Sequence, residues 1–341
     1  MKTGRLLLAC ILWVATQSVW AAETAQAVEL KIATLAPDST TWMKEMRAGA
    51  AEIEGKTAGR VKFKFYPGAV MGNDEAVLRK IRIGQLQGGA ITAGTLAGIY
   101  PDAQVYSLPL QIQTIEEVNY VRQHMDDKLR AGAAGHGMEV VGISNGGFAY
   151  LAGSKPITSI ASLKDQRTWV PEGDRVSATM FKAAGISPTP LPMADVYTAL
   201  QTGLLDVVAS NPSSLIAFQW HTKIKYITDV PMVFLVGMLV IDKRAFDRLQ
   251  PPDQAIVREV MAAKFRKLDE LNEQDNTEAR RALEAGGIEF VKPSAEEKQA
   301  WQQIADSTLK ELEQAGAYSK ETLQELQKHL AAFRAGNKQQ K

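Results

Sequence analysis

The fold is decided by two neighbouring stretches, Ser162–Asp174 (S-L-K-D-Q-R-T-W-V-P-E-G-D) and Pro188–Pro212 (P-T-P-L-P-M-A-D-V-Y-T-A-L-Q-T-G-L-L-D-V-V-A-S-N-P). With the helical pattern between them and the residues that follow to Tyr226, they read as strand, helix, short strand, helix, strand, helix. Val196, Ala199, Leu200, Gly203 and Leu204 fall on one helical stripe, with Pro192 and Asp195 at its start and Gly203 offering a left-handed stop. Leu205–Ala209, apolar except for Asp206, has the pattern of a buried parallel strand. It ends on Ser210, Asn211 and Pro212, where the chain must leave the sheet and begin another helix. Ligands of open α/β sheets sit outside the carboxyl ends of the strands, which puts Trp169 and Asn211 where a ligand would be.

The same alternation extends in both directions. Leu30–Leu35 predicts a first strand, followed by a helix with Trp42, Met46, Ala50 and Ile53 on one stripe and Asp38, Ser39 or Thr40 as its cap. Val61–Tyr66 alternates strictly, Asn73 caps the next helix, and Ala90–Thr92 forms a strand ending in Ala93-Gly94-Thr95, where backbone can approach a ligand closely. Glu139–Ile143 predicts a strand leading to Asn145-Gly146-Gly147-Phe148. The segments around Gly84 and Gly203 share an order of helix, glycine, strand and small polar residues, as two similarly built lobes would. Pro156–Leu163 is expected to carry the first crossing between lobes, and the apolar run Val230–Ile241 the return. That run is too short to span a membrane. A long helix from Pro252 to Gly286 and two amphipathic helices beginning near Ser294 and Ser319 complete the chain.

With 341 residues, 23% charged and 45% hydrophobic, the chain has room for two cored lobes, and a net charge of +1 gives no general case for binding nucleic acid. Lys2, Arg5, the apolar run Leu6–Val14 and the small residues near Ala21 or Ala27 predict a cleaved export signal over 1–27. The apolar run continues past Cys10, which argues against lipid attachment there. Cleavage would remove this lone cysteine, so the mature chain would rely on its cores and not on a disulfide. The four histidines show no metal-ligand spacing, and neither G-x-S-x-G, a P-loop, H-E-x-x-H nor a dinucleotide fingerprint is present. No metal, cofactor or enzymatic activity is expected.

These stretches, with Lys62–Glu75 (K-F-K-F-Y-P-G-A-V-M-G-N-D-E) and Leu30–Pro37 (L-K-I-A-T-L-A-P) upstream, resemble the solute-binding components of tripartite ATP-independent periplasmic (TRAP) transporters over nearly the whole mature chain. The resemblance implies an α/β fold of the type II periplasmic-binding-protein kind: two lobes joined by hinge strands, a long spanning helix, and C-terminal helices packed across the back. It divides the chain into 28–155 plus about 232–262 (first lobe), 156–231 plus about 263–335 (second lobe with the C-terminal helices) and a flexible tail at 336–341. It implies a periplasmic monomer that captures a small organic acid or amphipathic carboxylate and delivers it to TRAP membrane permease subunits. The competing expectation is a sensor that docks on a histidine-kinase ectodomain.

The family places a carboxylate-clamping arginine where this chain has Trp169. Arg167 stands two residues earlier, on the same face of a strand, and is the candidate for a displaced clamp. Asn211 matches the family's Asn before Pro, and equally suits a helix cap with no ligand. Phe148, Met193, Thr92 and Thr95 fall at or beside strand ends and join the candidate site, whereas Trp42 is assigned to helix core. Trp169, Phe148 and Met193 would form an apolar or aromatic wall with Asn211, Thr92 and Thr95 offering hydrogen bonds, a pocket better suited to an aromatic or aliphatic carboxylate, or an amphipathic solute, than to a dicarboxylate.

Overall fold

A computed structural model describes residues 27–338 of the chain. The export signal expected over 1–27 lies, except for residue 27, outside the described residues.

The chain opens with β1 (Val28–Thr34), α1 (Thr41–Lys56), β2 (Val61–Tyr66), α2 (Asp74–Arg82), β3 (Gly88–Thr92) and the single turn α3 (Ala93–Leu96). Leu30 and Ile32 alternate into the core on β1, and Thr40 and Asn73 cap α1 and α2 by accepting the N–H groups of Met43 and Ala76. α4 (Ile115–Gly135) then leads into β4 (Met138–Gly153), which is 16 residues long. The second lobe holds β5 (Trp169–Pro171), α5 (Arg175–Ala183), β6 (Thr189–Leu191), α6 (Val196–Thr202), β7 (Val207–Ser210), α7 (Pro212–Ala217) and β8 (Tyr226–Thr228). β9 (Val233–Asp242) returns to the first lobe, followed by α8 (Lys243–Phe246), α9 (Pro251–Ala285), β10 (Glu289–Val291), α10 (Ala295–Gln314) and α11 (Lys320–Lys338).

The main sheet runs β10-β8-β4-β9-β3-β1-β2, with β7 also paired to β4, while β5 and β6 form a small parallel sheet of their own. The first crossing between lobes is β4 itself. Its early residues pair with β9 and its last four with β7 and β8. Pro156–Leu163, expected to make that crossing, lies wholly in the second lobe, where Ile157 and Leu163 are core and Ile157 C=O accepts the Thr228 hydroxyl at 2.7 Å. The glycines at 146 and 147 read as a strand end, but the strand continues through them by a register shift between Asn145 and Phe148, with Gly147 at φ +79°. β7, expected as a parallel strand, pairs antiparallel with β4, and among the described residues its parallel contact is the isolated bridge Thr168 to Val207.

The likeness of the Gly84 and Gly203 segments is structural. Both glycines are left-handed, with φ of 76° and 72°, and stop α2 and α6 respectively. The strands that follow, β3 and β7, pair antiparallel with the crossing strands β9 and β4. Each then turns into a short helix capped by its own polar residue: Thr92 accepts Thr95 N–H on α3, and Asn211 accepts Ser214 N–H on α7.

The spanning helix α9, about 50 Å long at 1.5 Å per residue, braces the hinge from behind. Asp269 accepts Asn145 N–H at 2.7 Å, Asn272 donates to Asn145 C=O at 2.8 Å, and Asn276 accepts Ser213 N–H at 3.2 Å. α10 contributes Trp301 and Ala305 to the second lobe's core, then Leu309 and Leu312 to the first lobe's, and α11 packs on α4.

Candidate functional site

Two capped helix starts facing each other across the crossing strands leave a cavity of about 350 Å³ between the lobes. Its first-lobe wall comes from the end of β3 and the start of α3, with Thr92, Gly94 and Thr95, together with Trp42 of α1. Its second-lobe wall comes from Trp169, Met193, Ser210, Asn211 and Phe218, and its floor from Gly146, Ala149 and Leu235 of the crossing strands.

Five of the seven candidate residues therefore meet: Thr92, Thr95, Trp169, Met193 and Asn211. Trp169 is both wall and core. It is 2% exposed, meets Trp220 edge-on at 5.3 Å between ring centroids, and its indole N–H donates to Leu191 C=O at 2.9 Å, pinning β5 to the end of β6. Asn211 is likewise committed. Its Oδ1 accepts Ser214 N–H at 2.7 Å, and its Nδ2 donates to Gly146 C=O on β4, joining the wall to the floor.

Two candidates lie elsewhere. Phe148 is half-buried against Phe234, 5.5 Å between centroids, and packs on the first lobe's core. The register shift just before it interrupts the alternation of β4, so Gly146 and Ala149 face the cavity instead. Arg167 precedes β5, and its guanidinium grips Asp206 in two parallel bonds, Nε to Oδ2 at 2.7 Å and Nη2 to Oδ1 at 2.8 Å. Asp206 Oδ2 also accepts the Arg167 backbone N–H at 3.0 Å, so the expected displaced clamp is a strand-start staple. Trp42, assigned to helix core, is half-buried and does both: it packs on the core around β1 and lines the cavity.

Three carboxylates not among the candidates also line the cavity: Asp74, Glu172 and Asp174. Asp74 Oδ2 accepts Thr92 N–H at 2.9 Å and lies 3.4 Å from the Thr95 hydroxyl. Burial raises its pKa, opposed by those hydrogen bonds. Asp174, half-buried as a residue, caps α5 by accepting Ser177 N–H at 3.0 Å and the Ser177 hydroxyl at 2.6 Å. Burial of its carboxyl group pushes its pKa up as well. Glu172 accepts Asn73 Nδ2–H at 2.8 Å across the cleft. The signal for Asp74 was present beside Asn73, since acidic residues favour a helix's first turn, but nothing local tells that this turn faces a cavity.

Among the described residues lining this cavity there is no arginine, lysine or histidine. A solute carboxylate about 4 Å from one ionised wall carboxylate would be repelled by about 4 kcal/mol at the effective dielectric of a protein surface. No side chain of the wall supplies a compensating positive charge.

A second cavity, about 580 Å³, lies between α4 and α9. Its charges are largely spent on one another. Arg122 bonds to Asp126 and Asp269, and Arg258 to Glu139.

The family model described as bacterial extracellular solute-binding protein, family 7, matches residues 32–315. The 2,3-diketo-L-gulonate-binding periplasmic protein YiaO of Escherichia coli is 25% identical over 218 residues, 62% of this chain and 65% of that protein, so the match spans less than two thirds of that relative. The C4-dicarboxylate-binding periplasmic protein DctP of Rhodobacter capsulatus is 25% identical over 266 residues, covering 75% of this chain and 79% of that one. Among solved structures, a TRAP periplasmic solute binding protein from Desulfovibrio salexigens with bound orotic acid superposes with a TM-score of 0.83 at 20% identity, covering 89% of this chain and 99% of that one. With two lobes around one cleft and a family match over most of its length, the chain belongs to the bacterial extracellular solute-binding proteins of family 7.

Proposed function

We propose that this protein is the periplasmic receptor of a TRAP-type secondary transporter. After export it captures a small organic solute between its lobes and delivers it to separate membrane permease subunits, without chemical change to the solute. The observation that carries this reading is the cavity walled by both lobes and floored by the crossing strands, because a solute touching both walls binds the closed form more tightly and so drives closure. The relatives bind organic acids: 2,3-diketo-L-gulonate, C4-dicarboxylates and orotic acid. Trp42, Trp169 and Phe218 call for an apolar body on whatever is bound.

A thermal-shift screen against a broad metabolite set tests the reading, since a solute that binds only the folded state raises its melting temperature by mass action. A hit recovered chemically unchanged after incubation supports a receptor. Turnover of the hit would overturn it.

A further inference from the structure

We infer that the solute taken by this cleft is uncharged, an amphipathic molecule such as an amide, lactone, ester or alcohol, and not an ionised carboxylate. The inference rests on the solute-capture reading above and narrows its ligand class.

Of the two devices by which a protein wall holds an anion, the cleft lacks the first, and the second is partly spent. The first is a cationic side chain, and none lines the cavity among the described residues. The residue at the strand end, Trp169, has an indole whose one N–H is already spent on Leu191 C=O. Arg167, two residues before Trp169, is paired with Asp206 and is not part of the lining. The second device is a set of free backbone N–H groups at helix starts. Here three helices start beside the cavity, and each has a start N–H occupied by a side chain: Thr95 N–H by Thr92, Ser214 N–H by Asn211, and Ser177 N–H by Asp174. One of these caps is itself a carboxylate, and Thr92 N–H is given to another, Asp74.

Protonation does not change the conclusion. Ionised, Asp74, Asp174 and Glu172 repel an anion; neutral, they add hydrogen-bond donors but no positive charge. A cation is disfavoured on different grounds. Both oxygens of Asp174 and Oδ2 of Asp74 accept hydrogen bonds within their own lobes, and one oxygen of Glu172 accepts from Asn73, so no carboxylate of the wall is wholly uncommitted. What faces the solute is aromatic and aliphatic surface, with the Ser210 hydroxyl and the Thr92 and Thr95 hydroxyls, which bond to each other at 2.9 Å and keep lone pairs able to accept, as its polar groups.

The test uses the mature chain and a bacterial metabolite extract separated at pH 7 into an anion-exchange-retained, a cation-exchange-retained and an unretained fraction. The melting temperature is followed with each. The inference predicts a rise of a few degrees with the unretained fraction, from which mass spectrometry of the protein-bound material identifies a neutral molecule. A rise confined to the anion-retained or the cation-retained fraction overturns the inference and leaves solute capture standing. A rise with none of the three contradicts solute capture itself, and the inference falls with it.

Discussion

Asn73, at the start of α2 in the first lobe, donates its side-chain N–H to the carboxylate of Glu172 in the second lobe at 2.8 Å. The cleft is therefore latched at its mouth by a bond between the two lobes, beside the point where Glu75 closes on Gly173. Glu172→Ala removes the latch without touching the cap that Asn73 gives α2. Small-angle scattering of the solute-free variant should show a larger radius of gyration than the parent, with the two converging when solute is saturating. An unchanged value in the solute-free state would mean that the bond does not hold the lobes together.

Trp169 should prove to be a folding residue as much as a binding one. Trp169→Phe keeps an aromatic ring, smaller than the indole, and leaves Leu191 C=O without its donor, at a cost of at least about 1–3 kcal/mol, and Trp169→Ala should cost about 3–5 kcal/mol, as for other buried aromatics. Denaturant melts at constant solute measure both. A Trp169→Phe variant as stable as the parent would show that the β5 to β6 pin carries no load.

The raised pKa of Asp174 makes a signed prediction. A carboxyl whose folded pKa lies above its unfolded one binds more protons in the native state, so stability falls as pH rises through the ordinary carboxylate range. Asp174→Asn keeps an amide oxygen for Ser177 N–H and removes the charge. Its stability relative to the parent should therefore increase from acid to neutral pH. Asp206, whose pKa is lowered by the Arg167 hydrogen bond, acts in the opposite sense and is present in both proteins, so it cancels in the difference. A gap between the two proteins that does not change with pH would refute the assignment.

Arg167→Ala tests the role of the arginine two residues before Trp169. Its bond to Asp206 is exposed, so the loss of stability should be small. Solute affinity measured by calorimetry should stay within a factor of about two of the parent's, well under the 1.4 kcal/mol that a tenfold change represents. A tenfold or greater loss would restore it as a clamp.

Where local chemistry settles structure, the chain could be read directly. Thr40, Asn73, Ser294 and Asn211 cap the helices their positions predict, Gly203 stops α6 in the left-handed region, and Pro251 opens α9. Tertiary pairing was hidden where two outcomes share one local pattern. A glycine pair ends a strand as readily as it bulges one, so the local pattern of Glu139–Ile143 does not tell that β4 continues through Gly147 or that Phe148 packs away from the cavity. The buried run of β7 looks alike in parallel and antiparallel pairing. Arg167 pointed toward the site by strand periodicity, but Asp206, distant in sequence, captures it. Asp74 and Asp174 read as ordinary first-turn and cap residues, because only the meeting of two lobes turns them into cavity wall.

The central claim, that one solute is held between the lobes in contact with both walls, is tested most directly by a crystal structure of the protein loaded with the solute that raises its melting temperature. The account predicts density for a single molecule between Thr92 and Thr95 on one side and Trp169, Ser210 and Asn211 on the other. Density in the cavity between α4 and α9, with the cleft holding only water, would contradict it.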